Sequence, residues 1–299
     1  MQRAWPYIIL LFPPLFWAGN FVVGRAFSAD IGAISLSFYR WTLALLILTP
    51  FAFNTVRREW QLIVGNLPIL SLLALLSVAS FNVLLYIGLR DTEATNGLLI
   101  NSSIPVWIVA LGVIFFGDRI TIQRVLGITV SLAGVAYLLL SNGQTNHLKI
   151  NPGDLWVLSS SIGWALYSLT LRKRPAGLSG IGFLSYIVIF GVCFNGLLLV
   201  INPLSEPPFL WTLENFYAVG YVAVFASLGA YVCWNYGVAS LGAQLAGQYI
   251  HMMPFFGVIL ATAFLDEAFT NHHLIAGGLI AAGLYLALRQ SYAVASKPR

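Results

Sequence analysis

Gln244, Gln248 and His251, with Phe255 one turn beyond, fall at i, i+4, i+7 and i+11 in a stretch otherwise composed for hydrocarbon. That spacing sets side chains along one helical face, and a face of amides and an imidazole is kept away from lipid. The matching stripe half a chain earlier is Thr95, Leu99, Ser102 and Val106, with Asn101 beside it. Asn82 and Tyr86 stand one turn apart, as do Tyr231 and Asn235 with the residue types exchanged. With Trp17, Tyr39 and Trp164, these groups supply carboxamides, hydroxyls and ring faces, the means of holding a solute by hydrogen bonds and stacking. No catalytic residue and no metal ligand set is expected, since the sequence has no H-E-x-x-H and no clustered carboxylates within its apolar runs. The alternative for any single polar residue is a hydrogen bond that glues two helices and binds nothing.

The elements that carry these residues are apolar runs. Of 299 residues 59% are hydrophobic and 8% charged, against roughly 25% charged in a soluble domain. A bilayer core needs about 20 apolar residues per helix. Ten such runs are read at 7–27, 32–53, 67–89, 94–116, 122–141, 152–171, 179–201, 214–238, 244–265 and 272–289. Lipid leaves backbone groups without partners, so uninterrupted runs of this length predict helices and an all-α polytopic membrane protein. The first run carries Pro13 and Pro14 and has no A-x-A site after it, so residues 1–30 are read as part of the fold in preference to a cleaved leader. Cys193 and Cys233 are expected as small buried hydrophobes without a disulfide role.

The net charge of +5 reports orientation here, not nucleic-acid binding. If the termini share a face, that face holds Arg3, Arg57, Arg58, Arg119, Arg124, Arg172, Lys173, Arg174, Arg289, Lys297 and Arg299, and the other holds only Arg25, Arg90 and Lys149. Both termini are therefore expected in the cytoplasm.

Sliding the chain by 149 residues aligns Gly88 with Gly237, Ala94 with Ala243, Pro105 with Pro254, Asp118 with Glu267 and Gly134 with Gly283. An offset of 147 brings "WAGNFVVGR" onto "WALYSLTLR", so Arg25 meets Arg172. The expected organisation is a five-helix repeat over 1–141, a connector 142–151, a second repeat over 152–291 and a tail 292–299. An odd number of crossings per copy makes the copies inverted, an arrangement used by secondary transporters with a cavity between the halves. There is no G-x-x-x-x-G-K-[ST] loop, so ATP-driven transport by this polypeptide is not expected, and no cofactor is implied.

Pro105 and Pro254 each remove a backbone donor; they are candidate kinks for gating, or tolerated transmembrane prolines. Arg40, early in the second run, faces either protein and a wet cavity or the outer interface by snorkelling. Trp5, Trp60 and Trp211 fit membrane interfaces, and "GITVSLAG" and "AGGLIAAG" fit close helix packing. An interior with one Arg, one His and many amides and rings suits a neutral or zwitterionic solute, and only His251 offers a titratable group for proton coupling.

At "LFWAGNFVVGR", "SFYRWTLALLILTP", "SIPVWIVALGVIFFGDRIT" and "LIAAGLYLAL" the chain resembles ten-helix EamA-type permeases of the drug/metabolite transporter superfamily, over nearly its whole length. That resemblance implies two five-helix repeats around a central cavity and solute export across the inner membrane of a bacterium. Within the family it is most similar to exporters of aromatic and other amino acids. The implied partners are membrane lipids and a small solute, with a monomer sufficient. Span 1 lacks the embedded Glu of small multidrug relatives, which argues against proton-coupled cation efflux. A multidrug, cation or other metabolite exporter of the same fold, a lipid-active membrane enzyme and a scaffold without a cavity are the competing readings.

Overall fold

The computed structural model describes residues 5–118, 121–141, 151–201 and 209–295. Arg3, Arg119, Lys149, Lys297, Arg299 and the connector from 142 to 150 lie outside the described residues, as do the side chains of Arg124, Gln244, Gln248 and Arg289. Among the described residues the chain is helical with no strand. In chain order the helices are α1 (Trp5–Ala26), α2 (Ala33–Gly65), α3 (Leu67–Asp91), α4 (Ala94–Phe116), α5 (Ile122–Ser141), α6 (Pro152–Thr170), α7 (Gly180–Ile201), α8 (Leu213–Leu241), α9 (Leu245–Leu265, led in by a turn from Ala243) and α10 (Asn271–Ala295). Among the described residues, α1, α2, α3, α4, α7, α8 and α9 are long and apolar enough to cross a membrane. In α6, Ser160 and Ser161 are buried and return their hydroxyls to the Val157 carbonyl, while Asp154 is buried at its start.

Proline and glycine set the interruptions. Pro13 and Pro14 cannot donate, and α1 breaks into a turn at Leu10 and Leu11 just before them. Helix α4 breaks at Ser102 and Ser103 ahead of Pro105, and α9 tightens into a 3₁₀ turn at Tyr249–His251 ahead of Pro254. Gly117 ends α4 and Asp266 ends α9, both left-handed at φ 65° and 55°, 149 residues apart. Aspartate is one of the few side chains that tolerates that conformation.

Packing partners repeat with the halves exchanged. Helix α3 packs on α6 as α8 packs on α1, α4 packs on α6 as α9 packs on α1, and α2 pairs with α7 and α5 with α10. Gly88 and Gly237 let two of these crossings close: a Cβ on Gly88 would stand 2.6 Å from the Gly153 carbonyl, and one on Gly237 would overlap Leu10.

Two expectations need correction. Cys193 is exposed on α7, not buried, and Cys233 is half-buried; both are free thiols. Phe255 does not continue the interior stripe of α9 and is 65% exposed. The 3₁₀ turn before it advances about 120° per residue instead of 100°, so the rotational phase is lost across Tyr249–His251.

Candidate functional site

The centre of the bundle is aromatic. Trp17 of α1 meets Trp164 of α6 at 5.0 Å and Trp234 of α8 at 5.4 Å between ring centroids. Trp164 in turn meets Tyr231 at 5.3 Å, Tyr167 at 5.0 Å and Phe81 at 4.9 Å, and Tyr231 meets Trp41 at 5.0 Å. These rings come from five helices of both halves, and Trp41, Trp164, Trp234, Tyr167 and Tyr231 are all under 2% exposed.

Beside the rings sits Arg40, 1% exposed, so the snorkelling alternative is excluded. Its Nε donates to Ser227 Oγ at 2.8 Å, and Nη1 donates to Asn20 Oδ1 and Asn82 Oδ1 at 2.9 Å and to the Tyr86 hydroxyl. Tyr86 donates to Asn20 Oδ1 at 2.6 Å. The guanidinium lies 5.1 Å from the centroid of Trp41 and 5.8 Å from that of Tyr86. Its charge is met by neutral dipoles and π-faces; among the described residues it forms no ion pair. One side chain thereby ties α1, α2, α3 and α8.

Of the residues expected from sequence, Trp17, Trp164, Tyr231, Asn82 and Tyr86 converge here. Asn235 accepts from Tyr167 at 2.7 Å, and Asn101 accepts from Ser161 at 3.1 Å and lines a closed void of about 10 Å³ with Trp17, Asn20, Phe81 and Trp164. Ser102 is buried but spends its hydroxyl on the Leu99 carbonyl at the helix break. Tyr39 does not join the cluster: half-buried near the start of α2, it packs on Phe209 at 4.4 Å and Trp211 at 5.2 Å. His251 is half-buried in the α9 turn, its Nε2 without a partner among the described residues. Gln244 and Gln248 stand on the first turns of α9, their side chains outside the described residues. Pro105 is buried where α4 meets Gly247 of α9, and Pro254 is half-buried. Asn20, Trp41, Tyr167, Ser227 and Trp234 were not singled out from sequence. Asn20 and Tyr167, at matching places in the "WAGN" and "WALY" of the repeat, were the two with a readable signal.

The two ends of the bundle differ. At one, Glu267 accepts from the Ala94 and Thr95 amides at 2.9 and 3.0 Å and from Thr95 Oγ1 at 2.9 Å, sealing the N-terminus of α4. Arg25 donates to the Leu89 and Arg90 carbonyls at 3.0 and 2.8 Å, closing the C-terminus of α3. At the other end the sequence counterparts of those acid and base, Asp118 and Arg172, pair with each other at 3.0 Å. The counterparts of the amide and carbonyl partners, Ala243 with Val238 and Ala239, instead line a vestibule of about 580 Å³ with Asp118, Arg172, Arg174 and Asn235. Asn235 thus borders the vestibule on one side and reaches Tyr167, in the aromatic cluster, on the other.

The Glu93 carboxyl at the sealed end is raised from its ordinary value by partial burial first, then by Glu267 and Asp154, with Arg25 opposing. A raised acid favours its protonated form in the sealed arrangement, so this support is present at low pH and lost as pH rises through the raised value. The sealed end should therefore loosen as pH rises above the ordinary carboxylate range. Hydrogen exchange at Ala94 and Thr95, corrected for intrinsic rates, reads this, and Glu93→Gln should flatten the trend; an equal slope in that variant removes Glu93 as its source.

Among the described residues no three His, Cys, Asp or Glu side chains gather to hold a metal ion. A helical multi-pass bundle with a polar, aromatic interior between its halves and one end open to it defines a membrane transporter. The family model for the EamA-like transporter family matches twice, at residues 4–140 and 151–289, and the chain belongs to that family. It is 25% identical over 265 residues to the "Uncharacterized transporter YyaM" of Bacillus subtilis, covering 86% of this chain and 85% of that one. It is also 25% identical over 278 residues to the "Probable terminal-alkyne amino-acid exporter" of Streptantibioticus cattleyicolor, covering 92% and 90%. A solved crystal structure superposes with a TM-score of 0.69 at 17% identity, over 98% of this chain and 99% of that chain, which supports the fold alone.

Proposed function

We propose that the chain is a secondary transporter exporting neutral or zwitterionic amino acids, or closely related metabolites, by alternating access across the inner membrane of a bacterium. The observation that carries this reading is the inequality of the two ends: equivalent acid, base and helix-end groups are engaged at one and parted around a vestibule at the other. Ten crossing helices in two inverted copies, with both termini in the cytoplasm, make the vestibule cytoplasmic and the Glu267 end external. The arrangement then corresponds to an inward-facing protein ready to load. In the alternate state Asp118 and Arg172 seal the termini of α9 and α8, and Glu267 and Arg25 release α4 and α3. The amino-acid class rests on the aromatic and carboxamide interior and on the likeness to the Streptantibioticus exporter. A catalytic reading is disfavoured by the family match, which covers both halves of the chain.

Purified protein in liposomes, tested with radiolabelled neutral amino acids, nucleotide sugars and cationic dyes with and without a pH gradient, separates the possibilities. Amino-acid flux is expected in both conditions; movement of dyes alone, and only with protons, contradicts the substrate class.

A further inference from the structure

The amide oxygens of the central cluster each already accept a hydrogen bond, while several of its donors meet no acceptor. Arginine has no acceptor, so the Oδ1 atoms of Asn20 and Asn82 are fixed facing Arg40 and are consumed by it. Asn235 Oδ1 is taken by Tyr167, and Asn101 Oδ1 by Ser161. By contrast the indole Nε1 atoms of Trp41, Trp164 and Trp234 are buried with no hydrogen-bond partner among the described residues, and the Tyr231 hydroxyl, although close to Asn82, meets no group there at hydrogen-bonding geometry. An indole N–H can only donate. Burying such groups unmet is costly, so three indoles and a phenol left idle within one cluster of touching rings call for an outside acceptor.

The electrostatics agree in sign. Arg40 stacks on Trp41, which touches Tyr231, so a fixed positive charge stands one ring behind the free hydroxyl, with no carboxylate of the described chain paired to it.

Resting on the transport reading above, we infer that Tyr231, Trp164 and Trp234 form the subsite for the carboxylate end of the solute, and that the protein selects for a carboxylate over an amine. The apolar part of the solute then lies against Phe81 and Trp17. The void there is too small for a solute in this state, so loading from the vestibule past Asn235 must part the rings.

Four probes of one shape test this on the purified full-length protein: phenylalanine, 3-phenylpropionate, phenylalaninamide and phenethylamine, with binding read by quenching of tryptophan fluorescence and by thermal stabilisation. The two carboxylates should bind about tenfold or more tighter than the amide and amine. Tyr231→Phe, which removes one hydroxyl, should weaken the carboxylates about tenfold and leave the other two unchanged; Trp234→Phe supplies a second variant. Phenethylamine binding as tightly as 3-phenylpropionate, an equal loss for all four probes in Tyr231→Phe, or no binding by any of them overturns the carboxylate subsite. The transport reading itself falls separately, if the two ends of the bundle never exchange accessibility.

Discussion

Glu267→Gln is expected to open the end of the bundle that the wild-type protein holds shut. The carboxylate meets two backbone amides and one hydroxyl at the N-terminus of α4, where the helix leaves unpaired N–H groups and a partial positive charge. Glutamine keeps one acceptor oxygen and no charge. Losing the charged cap costs about 1–2 kcal/mol, which shifts the balance of states roughly 5- to 30-fold toward the form with that end open. Labelling of a cysteine at position 94 by an impermeant maleimide should rise accordingly, and labelling of one at position 239 in the vestibule should fall. Asp118→Asn should act in the opposite direction, because its caps are drawn on in the other state. The double variant should return both readings toward wild type. Labelling that rises at both positions in Glu267→Gln indicates general loosening and removes the residue from any exchange.

Replacing Arg40 should have the largest effect on the folded bundle. Its guanidinium delivers hydrogen bonds in two directions, from Nε to Ser227 and from Nη1 to Asn20, Asn82 and Tyr86. Arg40→Met leaves three of those oxygens short of donors in a site that water does not reach, and Arg40→Lys puts all its donors on one atom that cannot span the same partners. Each is expected to destabilise the protein by on the order of 3 kcal/mol, with lysine recovering little. Thermal unfolding in detergent reads this directly. An Arg40→Lys protein as stable as wild type shows that the charge alone suffices and that the four-helix tie is dispensable.

The helices were legible because an apolar run of this length has little choice of element, and the repeat because Gly, Pro and acid marks recur at a fixed offset: Gly117 and Asp266 end α4 and α9 alike. Side chains that work across the bundle were harder. Arg40 was ambiguous, since the sequence does not say which oxygens lie opposite a charge. Tyr39 has the same composition cue as Tyr231, yet it stacks near a helix start while Tyr231 sits at the centre. Phe255 fits a helical stripe on paper, and a single 3₁₀ turn rotates it outward. Trp234 gave no spacing signal because its role depends on how the halves meet. The π-helical stretches Leu75–Ala79 and Val222–Gly229 lie at corresponding places in α3 and α8, and neither contains a proline to announce it.

Exchange between the two ends can be measured by placing nitroxide labels at the repeat-equivalent pairs Ala26/Asp91 and Lys173/Ser240, all exposed, in protein whose two cysteines are replaced. Electron–electron distance measurements in liposomes should give a short Ala26/Asp91 separation with a long Lys173/Ser240 separation, and a second population in which the two are reversed. Addition of solute should move the pairs in opposite directions. Two distances that stay fixed, or that lengthen together, contradict alternating access.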